Sequence, residues 1–166
     1  VRDARINMIY EGTNTVQSLD LLGRKILGNQ GATLRKFGKQ IEALIAEEGV
    51  NEKMSEFINP LAYLADQMTK FTTEIGFKGF VNPDEVGGAS VDYLRVAGHL
   101  VFGYFFARMA SVALKKQAEG STDPFYTAKL QTARFYFARL FPETASLMRT
   151  ARSGVANLLD TEAALA

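Results

Sequence analysis

The chain contains no cysteine and only one histidine, His99. Without thiols it can form no disulfide bond, thiolate nucleophile or thiolate metal site, and one imidazole cannot build a histidine-rich metal site. We therefore expect no metal centre. The absence of cysteine also fits a reducing compartment, and we expect a cytoplasmic protein.

An excess of charge of either sign is also missing. The sequence has 19 Lys and Arg against 18 Asp and Glu, a net charge of +1. This balance gives no electrostatic reason to bind nucleic acid or an anionic membrane. Residues 1–12, "VRDARINMIYEG", lack the apolar core of a signal peptide. Because the chain starts at Val1 and not at a methionine, we expect it to be part of a longer protein.

Apolar residues recur at three- and four-residue spacing along most of the chain, which is the period of a helix. No alternating pattern typical of a strand is sustained. The sequence therefore predicts an all-α fold, an antiparallel bundle of four or more helices preceded by a short helical segment. The predicted helical stretches are 13–27, 33–48, 54–71, 90–118 and 125–140.

Glycine, proline and capping residues predict where these helices begin and end. Gly28 and Gly31 are suited to left-handed backbone in the turn before residue 33. Asn51 is placed to cap the following helix. Pro60 is expected to kink or restart that helix, with Asn59 as a possible cap, because proline removes a backbone donor.

The second half of the chain has its own boundary signals. Residues 78–90, "KGFVNPDEVGGAS", are predicted to form the longest loop. Within it, Gly87 and Gly88 indicate a turn ahead of a cap at Ser90. Asp123 followed by Pro124 is typical of a helix start. Pro142 is expected to break or kink the last long helix.

The most apolar segment is 90–118, and it is predicted to be the central helix of the bundle because apolar side chains surround it. Its length would also allow a membrane span. His99, Arg108 and two glycines lie inside the segment, so we expect no membrane span. We interpret His99 as a hydrogen-bonded core residue, and the many Phe and Tyr of 102–106 and 125–137 as core or subunit interface. Four arginines (Arg134, Arg139, Arg149 and Arg152) could offer a basic strip to the phosphate of a ligand, but a solvated helix face is favoured.

Residues 2–17, "RDARINMIYEGTNTVQ", carry a specific resemblance. The flavin-dependent acyl-CoA dehydrogenases contain, in their carboxy-terminal helical domain, a run of the form R-D-A-[RK]-I-x-x-I-Y-E-G-T-x-x-[IV]-Q. This chain is similar to that run at twelve positions: Arg2, Asp3, Ala4, Arg5, Ile6, Ile9, Tyr10, Glu11, Gly12, Thr13, Val16 and Gln17.

The rest of the chain resembles the additional helical domain of a bacterial subgroup of longer acyl-CoA dehydrogenases, including those acting on methylthiopropanoyl-CoA. The resemblance implies two parts. Residues 1–30 would end the dehydrogenase helical domain and carry the catalytic motif, and residues 31–166 would form the extra helical bundle.

The resemblance also implies roles for individual residues. Glu11 would be the base that removes the α-proton of an acyl-CoA thioester, with the β-hydride passing to FAD. Tyr10 and Gly12 would contact the substrate. Taken without this frame, Glu11 would be interpreted as an ordinary solvated loop carboxylate.

Thr13, Asn14 and Thr15 would contact FAD, and a helix start with free N–H groups suits a phosphate independently of the resemblance. Thr13 and Asn14 could also act simply as helix caps. The resemblance further implies an electron-transferring flavoprotein as acceptor and a homo-oligomer, with the present chain inactive by itself. The alternative hypothesis is a non-catalytic helical interaction or oligomerisation module.

Overall fold

The fold was analysed in a computed structural model, which describes residues 5, 6, 9 and 13–159. All the regular elements of these residues are helical, which confirms the all-α prediction. Helix α1 continues into a π-helical segment, Asp20–Ile26, and α5 continues into a π-helical turn, Tyr136–Leu140. The α-helices are α1 (Thr13–Leu19), α2 (Ala32–Glu48), α3 (Ser55–Val81), α4 (Asp84–Ala118), α5 (Pro124–Phe135), α6 (Glu143–Arg152) and α7 (Ala156–Leu159).

Helix α4 is the centre of the bundle, as the apolar pattern of 90–118 predicts. It contacts α1, the π-helical segment, α2, α3, α5 and α6. Many of its buried positions are small, so neighbouring helices can approach it closely. The buried residues of α4 are Ala89, Ser90, Tyr93, Val96, Leu100, Gly103, Tyr104, Ala107, Ala110, Ser111 and Ala113.

The largest side chains of the core lie between α3 and α4. The rings of Phe71 and Tyr93 stack with centroids 5.6 Å apart, and both side chains are fully buried. The hydroxyl of Tyr93 lies 2.8 Å from Oγ1 of Thr72, so its polar end is satisfied inside the core. Burial raises the pKa of Tyr93 to about 12. This tyrosine is therefore a neutral core residue.

The predicted loop over 78–90 is wrong. Helix α3 runs to Val81 and α4 begins at Asp84, so Asn82 and Pro83 alone make the turn. The side chain of Asn82 accepts a hydrogen bond from the backbone N–H of Asp84 at 3.1 Å. Such a short connection requires α3 and α4 to run antiparallel.

The two glycines assigned to that loop, Gly87 and Gly88, lie inside α4 instead, and Ser90 is a buried helix residue, not a cap. A Cβ atom on Gly88 would lie 2.4 Å from Cγ1 of Val155. Close packing against the end of the chain thus explains this glycine, whereas the sequence pattern indicated a turn.

Pro60 does not restart its helix. Helix α3 continues through it from Ser55 to Val81, so Asn59 is not a cap. The buried face formed by Phe57, Leu61 and Leu64 crosses the proline without interruption. Burial of this face outweighs the single backbone hydrogen bond that a proline removes.

Other boundary predictions are confirmed. Asn51 accepts a hydrogen bond from the N–H of Lys53 at the 3₁₀ turn that leads into α3. Asp123 accepts one from the N–H of Phe125, with Pro124 as the first helical residue of α5. Pro142 separates the π-helical turn from α6. In the turn before α2, Gly31 is left-handed as predicted, but its left-handed neighbour is Gln30 and not Gly28.

Within the part of the chain that the structure describes, α4 has a length and composition that would allow it to cross a membrane. In its most apolar stretch, 44% of the residues are buried inside the bundle. Core helices share this length and composition, so no membrane span follows from them.

The glycines of α4 provide a test of its close packing. A Cβ on Gly103 would lie 2.6 Å from Cε2 of Phe141, whereas a Cβ on Gly98 would meet nothing within 4 Å. We expect Gly98→Ala to raise the free energy of unfolding by about 0.5–1 kcal/mol through helix propensity. Gly103→Ala should lower it by about 1–3 kcal/mol through overpacking.

Urea denaturation of the two variants checks both expectations. A Gly103→Ala protein as stable as Gly98→Ala would show that α4 does not approach Phe141 as closely as the structure indicates.

Candidate functional site

The predicted active-site residues are only partly described by the structure. Glu11, Tyr10 and Gly12 lie outside the described residues. Thr13, Asn14 and Thr15 are the first described residues of α1, and all three are exposed. Their hydroxyl and amide groups are therefore accessible to a ligand.

Helix α1 is fixed against the start of α4 by a pair of buried serines. The hydroxyl oxygens of Ser18 and Ser90 lie 3.1 Å apart, and one of them donates to the other. The carbonyl oxygens of Thr15 and Gly87, 2.8 Å from Ser18 and 2.9 Å from Ser90, accept the remaining proton of the pair. Small residues on both helices permit this close approach. The pair therefore sets where the first turn of α1 lies, and the sequence analysis missed it because serine was interpreted as a cap.

The outer face of α1 is partly apolar. Val16 is 65% exposed and Leu19 is 44% exposed, whereas Leu22 and Ile26 of the following π-helical segment are buried. Asp20 is ion-paired with Arg24 and with Lys25, and these partners lower the pKa of Asp20 to about 2. Asp20 is therefore a charged surface residue throughout the physiological range and not a proton acceptor.

A buried carboxylate, Glu48, lies at the end of α2. Its Oε1 accepts hydrogen bonds from Oγ of Ser111 at 2.6 Å and from Nζ of Lys115 at 2.7 Å. Burial alone would raise the pKa of Glu48, but the hydrogen bonds from Lys115 and Ser111 together lower it. The group is thus a charged structural residue that joins α2 to α4.

His99 of α4 contacts the π-helical turn and α6. Its Nδ1 lies 2.8 Å from the hydroxyl oxygen of Tyr136, and its Nε2 lies 3.0 Å from Oε2 of Glu143. The hydrogen bond with His99 lowers the pKa of Glu143, which is also ion-paired with Arg95. The interpretation of His99 as a hydrogen-bonded core residue is confirmed, since both ring nitrogens have protein partners.

The arginines considered for a basic strip do not act together. Arg134 is ion-paired with Glu56 at 2.9 Å, and Arg152 with Glu74 at 2.8 Å. Their charges are balanced by carboxylates of α3, which agrees with the preference for an ordinary helix face.

A cleft of about 850 Å³ opens between α2 and α3. Its walls include Leu27, Leu34, Ile41, Ala65, Gly76 and Leu100, with Phe77 and Phe80 at the end of α3. Arg35, Lys39 and Glu42 are the charged residues among those that line it. No feature of the sequence indicated this cleft, because it is formed by two helices whose relative positions depend on tertiary packing.

Comparison with known proteins assigns the family. A sequence profile described as "Acetyl-CoA dehydrogenase C-terminal like" matches residues 37–162, well over half of the chain. The chain belongs to this family. The match confirms the resemblance to the carboxy-terminal region of acyl-CoA dehydrogenases, and it covers residues that lie after the motif around Glu11.

Three curated relatives are similar over most of the chain. The 3-methylmercaptopropionyl-CoA dehydrogenase of Ruegeria pomeroyi is 32% identical over 149 residues, covering 87% of this chain and 25% of the relative. The broad-specificity linear acyl-CoA dehydrogenase FadE5 of Mycobacterium tuberculosis is 30% identical over 151 residues, covering 86% of this chain and 25% of the relative. A butyryl-CoA dehydrogenase of Syntrophomonas wolfei is 26% identical over 166 residues, covering 96% of this chain and 27% of the relative. The chain thus spans about a quarter of the length of these relatives.

The Glu48 cluster gives a pH-dependent prediction. The pKa of the folded carboxyl lies below its ordinary value of 4.5, so the unfolded chain binds more protons between the two values. The stabilisation from Glu48 is therefore complete above pH 4.5 and is lost as the pH falls through the lower, folded pKa. We expect Glu48→Gln to lower the free energy of unfolding at pH 7 by about 1–3 kcal/mol and to weaken its dependence on pH below 4.5.

Glu47→Gln is the matched control, because Glu47 pairs with the same lysine at 2.8 Å but its side chain is 63% exposed. It should cost at most about 1 kcal/mol. Urea denaturation across a pH series distinguishes the two variants, and equal losses would contradict a structural role for the buried carboxylate.

Proposed function

We propose that the intact protein containing this chain is a flavin-dependent acyl-CoA dehydrogenase, in which Glu11 is the catalytic base. The observation that carries the proposal is the twelve-position frame around Glu11, present in a chain whose family profile and three compared relatives are all of the acyl-CoA dehydrogenase kind. The substrate would be an acyl-CoA thioester and the product its 2,3-enoyl-CoA.

The chemistry requires a strong base at the position of Glu11. The α-carbon of a thioester holds its proton tightly, so a carboxylate can remove it only if its basicity is raised when substrate excludes water from the pocket. As the α C–H bond breaks, its electron pair forms the new double bond, and the β-carbon loses a hydride. FAD, when bound, would supply the acceptor for that hydride. Tyr10 would line the acyl pocket, and Gly12 would leave room for the thioester beside the backbone.

The first turn of α1 fits a role in holding FAD. Thr13, Asn14 and Thr15 are exposed and offer hydroxyl and amide groups. These donors suit a phosphate. The Ser18–Ser90 contact supports the proposal, because it fixes this turn relative to α4 before any ligand binds.

The proposal has consequences for partners and location. An electron-transferring flavoprotein would be the electron acceptor, and the enzyme would be a cytoplasmic homo-oligomer that binds neither nucleic acid nor membrane. Residues 1–30 would complete the dehydrogenase domain and 31–166 would form the additional bundle. Residues 1–166 alone would not oxidise acyl-CoA, since the compared relatives are about four times as long as this chain.

The role of Glu11 can be tested in the intact enzyme by following flavin bleaching on addition of acyl-CoA. We expect Glu11→Gln to slow bleaching by about 10²–10⁴-fold, because the amide cannot accept the α-proton. Asp20→Asn is the control, since Asp20 is an ion-paired carboxylate in the π-helical segment that follows α1. It should bleach at the unaltered rate.

Bleaching of Glu11→Gln at the rate of the unaltered enzyme would exclude Glu11 as the base. Loss of bound flavin from this variant, measured from its visible spectrum, would instead assign Glu11 a structural role.

A second candidate function, oligomerisation through the helical bundle, is favoured by exposed aromatic side chains on α4 and α5. Phe102 and Phe105 are each 57% exposed, and Phe125 and Phe135 are 55% and 60% exposed. Large apolar rings in contact with water are typical of surfaces that bind another protein. This function is compatible with catalysis elsewhere in the intact protein.

Sedimentation velocity of the intact protein tests this role. We expect a homo-oligomer that dissociates when Phe102 and Phe105 are both changed to Glu, because burying two carboxylates in an interface is costly. Tyr63→Glu on α3 should leave the oligomer intact, although Tyr63 is 68% exposed. An unaltered protein that remains monomeric at all concentrations would contradict the proposal.

A further inference from the structure

We infer that the cleft between α2 and α3 is a binding site for a single-chain amphiphile with an anionic head, of the fatty acid class. The residues that line the cleft do not include Thr13, Asn14 or Thr15. The cleft begins at Leu27, at the opposite end of the first helical stretch from Thr13, about 20 Å away at about 1.5 Å per residue. The inference does not rest on the proposed dehydrogenase function.

The walls of the cleft are suited to an apolar chain. The threonines that line it on α3 have hydroxyls already engaged with their own helix: Thr69 donates to the carbonyl of Ala65, Thr73 to that of Thr69, and Thr72 to that of Met68. Their hydrogen-bonding capacity is therefore largely used within the protein. A ligand in the cleft would meet leucine, isoleucine and alanine side chains and few unsatisfied polar groups.

The end of α3 exposes aromatic rings that such a ligand would cover. Phe77 is 72% exposed and Phe80 is 92% exposed, and both belong to the cleft. Placing an alkyl chain against these rings would remove apolar surface from water on both sides. The cleft volume of about 850 Å³ is also within the range of small-molecule sites, about 300–1,000 Å³.

Two cations on α2 complement an anionic head. Arg35 and Lys39 line the cleft, and neither is ion-paired with a carboxylate in the part of the chain that the structure describes. One guanidinium nitrogen of Arg35 donates to the carbonyl of Gln30 at 2.6 Å, which holds the side chain at the turn and leaves its other donors available. Glu42 lies one turn beyond Lys39, so the positive charge is confined to one section of the wall. This arrangement favours a ligand with one anionic group over a polyanion.

Gly38 keeps the middle of the cleft open. It lies inside α2, where glycine is less favourable than alanine. A Cβ at this position would meet no atom within 4 Å, so close helix packing does not explain it. A larger side chain at position 38 would therefore fill the cleft without straining the backbone, which makes it a suitable position for a test.

Binding can be measured by isothermal titration calorimetry of the intact protein with decanoate, below its critical micelle concentration. We expect saturable binding of one decanoate per chain. Decanol, which has the same chain without the charge, should bind at least about tenfold more weakly, since a hydrogen bond to a charged group contributes about 1.5–3 kcal/mol.

Matched variants locate the site. Gly38→Leu should abolish decanoate binding by filling the cleft, whereas Gly38→Ala should retain it. Lys39→Gln should weaken decanoate about tenfold but leave decanol unchanged. Lys36→Gln on the same helix should have no effect, since Lys36 does not line the cleft. Thermal unfolding of each variant confirms that it is folded.

Three outcomes would overturn the inference. The first is decanoate binding that Gly38→Leu does not change, which would place the ligand elsewhere. The second is equal affinity for decanoate and decanol, which would assign no role to the cations. The third is no binding by the unaltered protein, the result expected if another segment of the intact protein occupies the cleft. Flavin bleaching by acyl-CoA is measured separately, so failure here is distinguishable from failure of the dehydrogenase proposal.

Discussion

The packing of α4 against α1, α2, α3, α5 and α6 is the constraint on which the rest of the structure depends. Apolar contacts with each neighbouring helix stabilise α4, but they do not by themselves define where along α4 each neighbour packs. Four polar residues of α4 define the position of its neighbours. Ser90, Tyr93, His99 and Ser111 each contact a partner on a different part of the bundle.

The partners of these four residues belong to four different helical elements. Ser90 meets Ser18 of α1, Tyr93 meets Thr72 of α3, His99 meets Tyr136 of the π-helical turn, and Ser111 meets Glu48 of α2. Among the described residues, every buried side-chain nitrogen and oxygen has a hydrogen-bonding partner. A helix that slipped by one turn along α4 would separate the polar pair that it forms with α4, and a buried polar group without a partner is more costly than a lost apolar contact. The polar groups therefore select one arrangement among several that would bury similar apolar area.

Sequence reasoning predicted the features that depend on local pattern and missed those that depend on contacts between helices. The helical period, the caps at Asn51 and Asp123 and the central position of 90–118 are all properties of neighbouring residues, and the structure confirms them. Gly88 looks the same in sequence whether it forms a turn or allows Val155 to approach. Only the position of Val155, which is remote in the chain, distinguishes the two. The prediction for the turn before α2 was wrong at one position for a related reason. Gln30 adopts the left-handed conformation that was expected at Gly28.

Contacts between helices also distinguish residues with a structural role from candidates for a functional role. Glu48 and His99 have the burial and the ionisable groups that are typical of catalytic residues. Their hydrogen-bonding groups are nevertheless engaged by partners on other helices. A group that is fully engaged within the protein has little capacity left for a substrate or cofactor. Thr13, Asn14 and Thr15 of α1 have the opposite character, because their polar side chains are exposed to solvent. The Ser18–Ser90 contact joins this part of α1 to α4, so the packing of α4 also positions exposed polar groups. The residues that make the packing of α4 specific are therefore different from the residues that remain accessible to a ligand.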